Sequence, residues 1–350
     1  MKKLFLIIQV LSLNFLLLAC LNPSSSEAEF GKYKLAFVGI DSEGNYNINS
    51  INGDGTDYTS LYSTTQQITE LQWSKVGTMG FIQQDSNSDN SRVYLYVNSV
   101  EQPRQITSQE ATYKYLSWYT NSSFIGFESD LTGYSDIYRV RLLDYNMDPL
   151  PQYELENLTE SEITDTYPVY SPDVYSRRIA FVIQHNGTMD LATINPWTKS
   201  IVNLTNGEFE YLGKPSWAPD SDQLVFSGQR DNQENKQIFT IISDGSGLNQ
   251  LTGGSNDSHS PVWAPEGDWI AYKSGGELRV VTSSGEYDRS LSACDSNTGG
   301  IAWSPDGRVL AYILNSKIHM IDLYSSVFEQ VTDDDMNQSE LLPVFSLDVR

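Results

Sequence analysis

The amino-acid sequence predicts an all-β fold, specifically a seven-bladed β-propeller, with six blades as the alternative. Three observations lead to this prediction: a phrase that recurs along the chain, strand-like segments without helical periodicity, and chain ends that look like two parts of one unit. The phrase returns every 40 to 52 residues, near the length of one four-stranded blade. The chain has 350 residues, which is long for an ordinary domain but suits a single propeller.

The recurring phrase consists of an aromatic residue, a polar turn and an apolar strand. Its clearest copy is Ile301–Ile313, which reads IAWSPDGRVLAYI. Within SPDG, proline fixes φ at about −65° for the second turn position, while aspartate and glycine suit the third and fourth. The phrase therefore predicts the first β-hairpin of a blade. Six aromatic residues, which we call the anchor aromatics, open its copies: Trp73, Trp118, Tyr170, Trp217, Trp263 and Trp303.

The segments between the anchor aromatics are short and rich in β-branched and aromatic residues. Arg92–Val97, Ile179–Ile183, Gln237–Ile242 and Val309–Ile313 are examples, and none has the 3.6-residue period of a helix. Each unit therefore reads as four strands joined by turns and one variable loop. Most units end in an apolar residue followed by threonine: Ile68-Thr69, Ile106-Thr107, Leu158-Thr159, Leu204-Thr205, Leu251-Thr252 and Val331-Thr332.

The two ends of the chain look like complementary parts of one blade. Lys34–Ile40 (KLAFVGI) has the pattern of a second strand without an aromatic first strand before it. Leu342–Val349 (LPVFSLDV) has the pattern of a first strand, with Phe345 at the aromatic position. A blade built from both ends would close the ring and remove open sheet edges. Six complete units and one shared unit give seven blades, and six is the count if one weak unit is misread.

The first residues resemble a bacterial lipoprotein signal. Lys2 and Lys3 precede a short apolar run that ends at Cys20, and this arrangement is typical of a secretory signal. Leu-x-Ala-Cys resembles the lipobox, which implies cleavage before Cys20 and lipid attachment to that residue; an uncleaved anchor or an ordinary signal is the alternative. We expect three regions: a signal peptide (1–19), a lipidated tether (20–32) and the propeller (33–350).

Charge and cysteine content limit the class of partner. The formal net charge of −23 disfavours nucleic acid and anionic lipid headgroups, so the lipid on Cys20 would hold the exported protein at an envelope membrane. Leu21, in place of aspartate, favours the outer membrane where the cell has one. Cys294 is the only other cysteine, and we expect it to be a small buried hydrophobic residue.

The phrase P-x-W-S-P-D-G, followed by an I-A-F/Y strand and a closing L-T, resembles the repeats of TolB-type β-propellers over nearly all of the chain after residue 33. TolB itself carries a separate α/β domain before its propeller, and we expect none here because Cys20 lies so close to the first strand. The resemblance implies a cell-envelope propeller, a class often associated with binding proteins or peptides at the central channel. Similar propellers occur in oligogalacturonate lyases and as gating domains of prolyl-oligopeptidase-type enzymes.

Catalytic motifs are missing from the sequence, which contains no G-x-S-x-G, H-E-x-x-H, Walker loop or C-x-x-C. The lyase propellers use a metal held by several histidines, whereas His185, His259 and His319 occupy different positions in their units. Asp85–Asp89 resembles the start of a calcium loop but lacks that loop's later glycine and glutamate. We therefore expect no cofactor, no metal and no enzymatic activity.

Candidate binding residues come from the segments just before each first strand, which open toward one mouth of a propeller channel. Aromatic and acidic side chains there suit a peptide, a sugar or a cation. The leading hypothesis is a monomeric envelope lipoprotein that binds or scaffolds a protein, peptide or small ligand; the alternative is a metal-dependent, saccharide-active enzyme similar to oligogalacturonate lyase. Six residues are predicted at this rim: Tyr115, Asp165, Glu210, Tyr211, Asp257 and His259.

Overall fold

The computed structural model of the protein describes residues 29–97, 102–142, 153–231, 233–295, 300–332 and 341–346. The predicted signal peptide and the lipid-attachment residue Cys20 lie outside these ranges. Within them the chain forms 29 strands and one 3-10 turn at Phe30–Lys32. No helix of this part is long and apolar enough to cross a membrane. The fold is all-β, as the sequence predicts.

The described strands form antiparallel sheets in which chain neighbours pair, beginning with three four-stranded sheets. The first sheet contains β1 (Lys34–Ile40), β2 (Tyr46–Asn52), β3 (Thr59–Thr64) and, beside β1, β29 (Leu341–Phe345). The second contains β4 (Ile68–Trp73), β5 (Met79–Gln84), β6 (Ser91–Tyr96) and β7 (Arg104–Gln105). The third contains β8 (Tyr113–Trp118), β9 (Phe124–Ser129), β10 (Asp136–Arg141) and β11 (Leu155–Asn157).

The next sheet has nine strands, and two four-stranded sheets follow it. The nine are β12 (Thr164–Tyr170), β13 (Ile179–His185), β14 (Thr188–Asn195), β15 (Ser200–Asn203), β16 (Phe209–Leu212), β17 (Ser216–Trp217), β18 (Gln223–Arg230), β19 (Gln237–Ile242) and β20 (Asn249–Gln250). The fifth sheet contains β21 (Ser258–Trp263), β22 (Trp269–Ser274), β23 (Glu277–Thr282) and β24 (Asp288–Ala293). The sixth contains β25 (Ala302–Trp303), β26 (Val309–Leu314), β27 (Lys317–Asp322) and β28 (Phe328–Gln330).

The first sheet brings the two ends of the described chain together. Strand β29 runs antiparallel to β1 and places Phe345 opposite Leu35. The first and sixth sheets also share one apolar core, in which Leu35 and Phe37 belong to the same cluster as Met320. The sequence assigned complementary strands to the two ends, and the observed pairing agrees with that assignment.

The repeated apolar-threonine pairs fasten the outermost strand of a unit to its third strand. In five units the threonine Oγ1 accepts a hydrogen bond of 2.9–3.1 Å from a third-strand N–H, and the preceding apolar residue donates its own N–H to the carbonyl of that same third-strand residue. We call this arrangement the threonine clamp. It explains why one short phrase returns in unit after unit. Its threonines are Thr107, Thr159, Thr205, Thr252 and Thr332.

Some of the anchor aromatics connect neighbouring units by hydrogen bonds. Trp217 Nε1 donates to the carbonyl of Val169 at 2.9 Å, and Trp303 Nε1 donates to the carbonyl of Val262 at 3.0 Å. Each acceptor lies on the first strand of the preceding unit. These two indoles therefore bind one unit to the next, whereas Trp263 Nε1 donates to the carbonyl of Gly267 in its own turn.

The SPDG turn has the conformation that its residues favour. Gly307 donates its N–H to the carbonyl of Ser304 at 2.9 Å and has a φ of 66°, a left-handed conformation that glycine adopts without strain. Asp306 accepts hydrogen bonds from Tyr33 Oη at 2.8 Å and from Lys32 Nζ at 3.0 Å. The turn therefore also fixes the chain segment that leads into β1.

Candidate functional site

A cavity of about 1230 Å³ lies where the first strands of the units meet. Its wall is contributed by β4, β8, β12, the β16–β17 region, β21, β25 and β29. The residue three positions before each anchor aromatic lines this cavity in every case. We call these six the inner positions: Glu70, Tyr115, Tyr167, Lys214, Ser260 and Gly300.

A β-bulge marks the inner position in β8, β12 and β21. In each of these strands the pairing with the next strand shifts register around that residue. Tyr115, Tyr167 and Ser260 accordingly have left-handed backbones, with φ of 56°, 58° and 54°. Such a conformation costs a residue other than glycine about 1–3 kcal/mol and is concentrated at functional sites. Three of the left-handed residues other than glycine therefore lie on one cavity wall, each at a bulge of a first strand.

Tyrosine side chains form one part of the wall. The rings of Tyr115 and Tyr167 lie 4.5 Å apart between centroids, with their planes inclined at 56°. Burial, together with the neighbouring Tyr167 and Glu128, raises the pKa of Tyr115 well above its usual range. A third ring, that of Tyr211, has Lys236 Nζ at 4.1 Å from its centroid, a cation–π contact. The three tyrosines offer aromatic faces and hydroxyl groups to a ligand.

Charged groups of both signs lie beside the tyrosines. Glu70 is 9% exposed, and its Oε2 is buried without a hydrogen-bond donor among the described residues. Burial raises the pKa of Glu70, and the positive charge of Lys214 opposes that rise. No ion pair joins Glu70 and Lys214 within the described chain. The wall therefore presents a carboxyl group and an ammonium group that do not neutralise each other by direct contact.

Four of the six predicted rim residues come together at this cavity, namely Tyr115, Tyr211, Asp257 and His259. Asp257 is exposed and accepts a hydrogen bond from the N–H of Lys236 at 2.8 Å. Burial and the positive charges of Lys273 and Lys236 lower the pKa of His259. At neutral pH this histidine is an uncharged donor and acceptor.

The other two predicted residues do not line the cavity. Glu210 is exposed on β16. Asp165 is only 2% exposed and accepts a hydrogen bond from Ser161 Oγ at 2.9 Å. Burial raises the pKa of Asp165 to about 6, and the negative charges of Asp136 and Glu128 add to this rise.

The predicted placement before each first strand needs a correction. Five of the six predicted residues lie within strands: Tyr115 in β8, Asp165 in β12, Glu210 and Tyr211 in β16, and His259 in β21. These strands begin earlier than the sequence suggests because the bulges interrupt the alternation of inward and outward side chains. Sequence reasoning consequently named one inner residue, Tyr115, and missed the other five. Counting back three positions from each anchor aromatic would have found them.

The three histidines are distributed over three sheets. His185 belongs to β13, His259 to β21 and His319 to β27. His185 Nε2 lies 3.5 Å from Asp190 Oδ2, and the ring of His319 lies against that of Tyr312 with centroids 5.7 Å apart. No three His, Cys, Asp or Glu side chains of the described residues are grouped as metal ligands would be. Cys294 is buried and free.

Sequence comparison finds a family model that matches part of the chain. Residues 151–317 match the family model of the TolB beta propeller domain. Dipeptidyl-peptidase 5 from Porphyromonas endodontalis is 32% identical over 115 residues, which are 31% of this chain and 17% of the peptidase. The chain spans less than a third of the length of the curated relatives that it matches.

Two solved structures illustrate the likeness in fold. TolB from Acinetobacter baumannii is similar with a TM-score of 0.56 and 12% identity, over 89% of this chain and 82% of that one. An oligogalacturonate lyase from Vibrio parahaemolyticus is similar with a TM-score of 0.61 and 12% identity, over 87% and 88% of the two chains. At these identities the likeness establishes a shared architecture of propeller type, and the function must be argued from the cavity.

Proposed function

We propose that this chain, a TolB-type propeller repeat protein, is a non-enzymatic binding or scaffolding protein whose partner enters the central cavity. One observation carries the proposal: the residue at the inner position on the cavity wall changes from copy to copy, while the anchor aromatic three positions later returns. The inner positions hold glutamate, tyrosine, lysine, serine and glycine. A wall of different side chains on a repeated scaffold suits selective recognition.

The proposal includes a closed ring of seven blades. The two halves of the nine-stranded sheet, β12–β15 and β16–β20, are joined by the single pair Met189 and Phe209, so we count that sheet as two blades. The pairing of β29 with β1 and the core shared by the first and sixth sheets support closure. In such a ring the cavity is the central channel.

A peptide segment is the ligand that the wall suits best. The volume of about 1230 Å³ exceeds the usual range of roughly 300–1000 Å³ for small-molecule pockets. Tyrosine faces, a carboxyl group and ammonium groups together match the side chains and backbone of a peptide. The name of the 32% identical relative, a dipeptidyl-peptidase, also supports a peptide as the ligand.

We place the protein at the cell envelope. The support is the lipobox-like sequence that ends at Cys20 and the short polar segment after it. In this proposal the lipid on Cys20 holds the propeller at a membrane, and the cavity receives an envelope protein or peptide.

A cavity-filling substitution tests the proposed function. Ser260→Tyr puts a phenol at an inner position, and Tyr115 and Tyr167 show that this left-handed site accepts one. Ser326→Tyr is the matched control, because Ser326 is also left-handed (φ 58°) but exposed on the loop between β27 and β28. Tagged proteins would be used to recover partners from detergent-solubilised envelopes, with quantification by mass spectrometry.

We expect wild type and Ser326→Tyr to recover the same partner in equal amounts. Ser260→Tyr should recover at least tenfold less of it while unfolding at the same temperature. Equal recovery by the two tyrosine variants would show that partners do not use the cavity.

A further inference from the structure

The buried carboxyl group of Glu70 stands out among the charged groups of the molecule. It occupies the inner position of β4, where other units have tyrosine, lysine, serine or glycine. A buried carboxylate is costly unless it is paired or hydrogen-bonded. Glu70 Oε2 has neither kind of partner among the described residues. Oε2 is therefore a buried acceptor on the cavity wall that a group entering the cavity can use.

The surroundings of Glu70 resemble a receptor for a cation. Glu70 lines the same cavity as the paired rings of Tyr115 and Tyr167, whose centroids are 4.5 Å apart. Aromatic faces next to a carboxylate attract ammonium and guanidinium groups by cation–π and ionic interactions together. The net charge of −23 adds a negative field that a cavity concentrates.

We propose that Glu70, with Tyr115 and Tyr167, forms a subsite for the positively charged side chain of a bound peptide, an arginine or lysine. This inference rests on the proposed function and specifies one part of its ligand. Lys214 lines the same cavity but makes no ion pair with Glu70 within the described chain, so an entering cation can contact the carboxylate directly. The guanidinium of arginine suits this because it can bond both carboxylate oxygens at once.

Two blocked peptides probe the subsite directly. The first is acetyl-Gly-Gly-Arg-Gly-Gly-amide, and the second has citrulline in place of arginine, which keeps the shape but removes the charge. Titration calorimetry or NMR would compare their affinities for wild type, Glu70→Gln and Glu286→Gln. Glu286 is exposed on the hairpin between β23 and β24, so its variant removes the same charge far from the cavity.

We expect wild type and Glu286→Gln to bind the arginine peptide at least tenfold more tightly than the citrulline peptide. Glu70→Gln should lose this preference and keep a cooperative thermal transition. Acidification should also weaken binding of the arginine peptide to wild type, because protonation removes the charge of Glu70, whose pKa is raised by burial.

Three results would overturn the subsite. They are equal affinity of wild type for the two peptides, an unchanged preference in Glu70→Gln, and no binding of either peptide at millimolar concentration. Each leaves the partner-recovery experiment with Ser260→Tyr standing, so failure of the subsite can be told apart from failure of the proposed function. If Glu70→Gln does not fold, the citrulline comparison on wild type decides alone.

Discussion

The threonine clamps and the inner positions belong to the same repeated unit but differ in how their polar groups are satisfied. In five units the clamp places the same residue type in the same hydrogen bond, at 2.9–3.1 Å. The six inner positions carry five residue types, and Glu70 Oε2 has no partner among the described residues. Uniform residues therefore hold the fold, while varied and incompletely paired residues face the cavity.

The largest expected effect comes from an anchor aromatic, which belongs to the uniform part of the unit. Trp303 is 8% exposed and its Nε1 donates to the carbonyl of Val262 at 3.0 Å. Trp303→Ala should lower the free energy of unfolding by about 3–5 kcal/mol, because it leaves a cavity between two units. Guanidinium denaturation measures this loss, and a loss below about 1 kcal/mol would contradict the packing role.

Asp165 allows a prediction about pH. Its pKa in the folded protein is about 6, against 3.8 for the unconstrained group, so the folded state binds the proton more tightly and stability falls as pH rises from 4 to 6. Asp165→Asn should therefore raise the free energy of unfolding by about 3 kcal/mol at pH 8. At pH 4 the variant should differ little from wild type. An equal gain in the free energy of unfolding at pH 4 and pH 8 would show that the effect does not come from the titration of Asp165.

A single clamp should contribute less than an anchor aromatic. Thr205 Oγ1 accepts the N–H of Leu191 at 2.9 Å and donates to Asp190 Oδ1 at 3.0 Å. Thr205→Val leaves both groups without this partner and should cost about 2 kcal/mol. Thr198→Val, at an exposed threonine, is the matched control and should change stability by less than about 0.5 kcal/mol. Equal effects of the two substitutions would show that the threonine clamp does not stabilise the fold.

The smallest expected effect is a gain at a turn. Ser122 occupies the position equivalent to Gly307, with a φ of 61° and a buried Oγ that has no partner among the described residues. Ser122→Gly should stabilise the protein by about 1 kcal/mol, because glycine adopts this conformation without strain. A rise in the melting temperature would show this gain. A fall would show that the Ser122 hydroxyl stabilises the turn.

The sequence predicted the uniform residues better than the varied ones. The anchor aromatics, the SPDG turn and the apolar-threonine pairs are visible because the same physical requirement returns in each unit. The complementary ends were predicted for the same reason, since Phe345 continues the series of aromatic residues.

The cavity wall was predicted only in part, for a physical reason. Tyr115 and Tyr211 were found as aromatic residues near a strand start, whereas Tyr167 and Lys214 were missed. A bulge breaks the two-residue period of a strand, so simple alternation does not reveal which side chain turns toward the cavity. The buried Oε2 of Glu70 has no partner among the described residues because of the distances between side chains in neighbouring units. The sequence pattern does not give these distances.

The central claim is that inner positions serve binding and clamps serve stability. Its most direct test is the free energy of unfolding of Glu70→Gln beside that of Thr205→Val, measured by guanidinium denaturation at pH 7. We expect Glu70→Gln to be at least as stable as wild type, because it removes a buried carboxyl group whose pKa burial raises, while Thr205→Val loses about 2 kcal/mol. A loss of similar size in Glu70→Gln would contradict the claim.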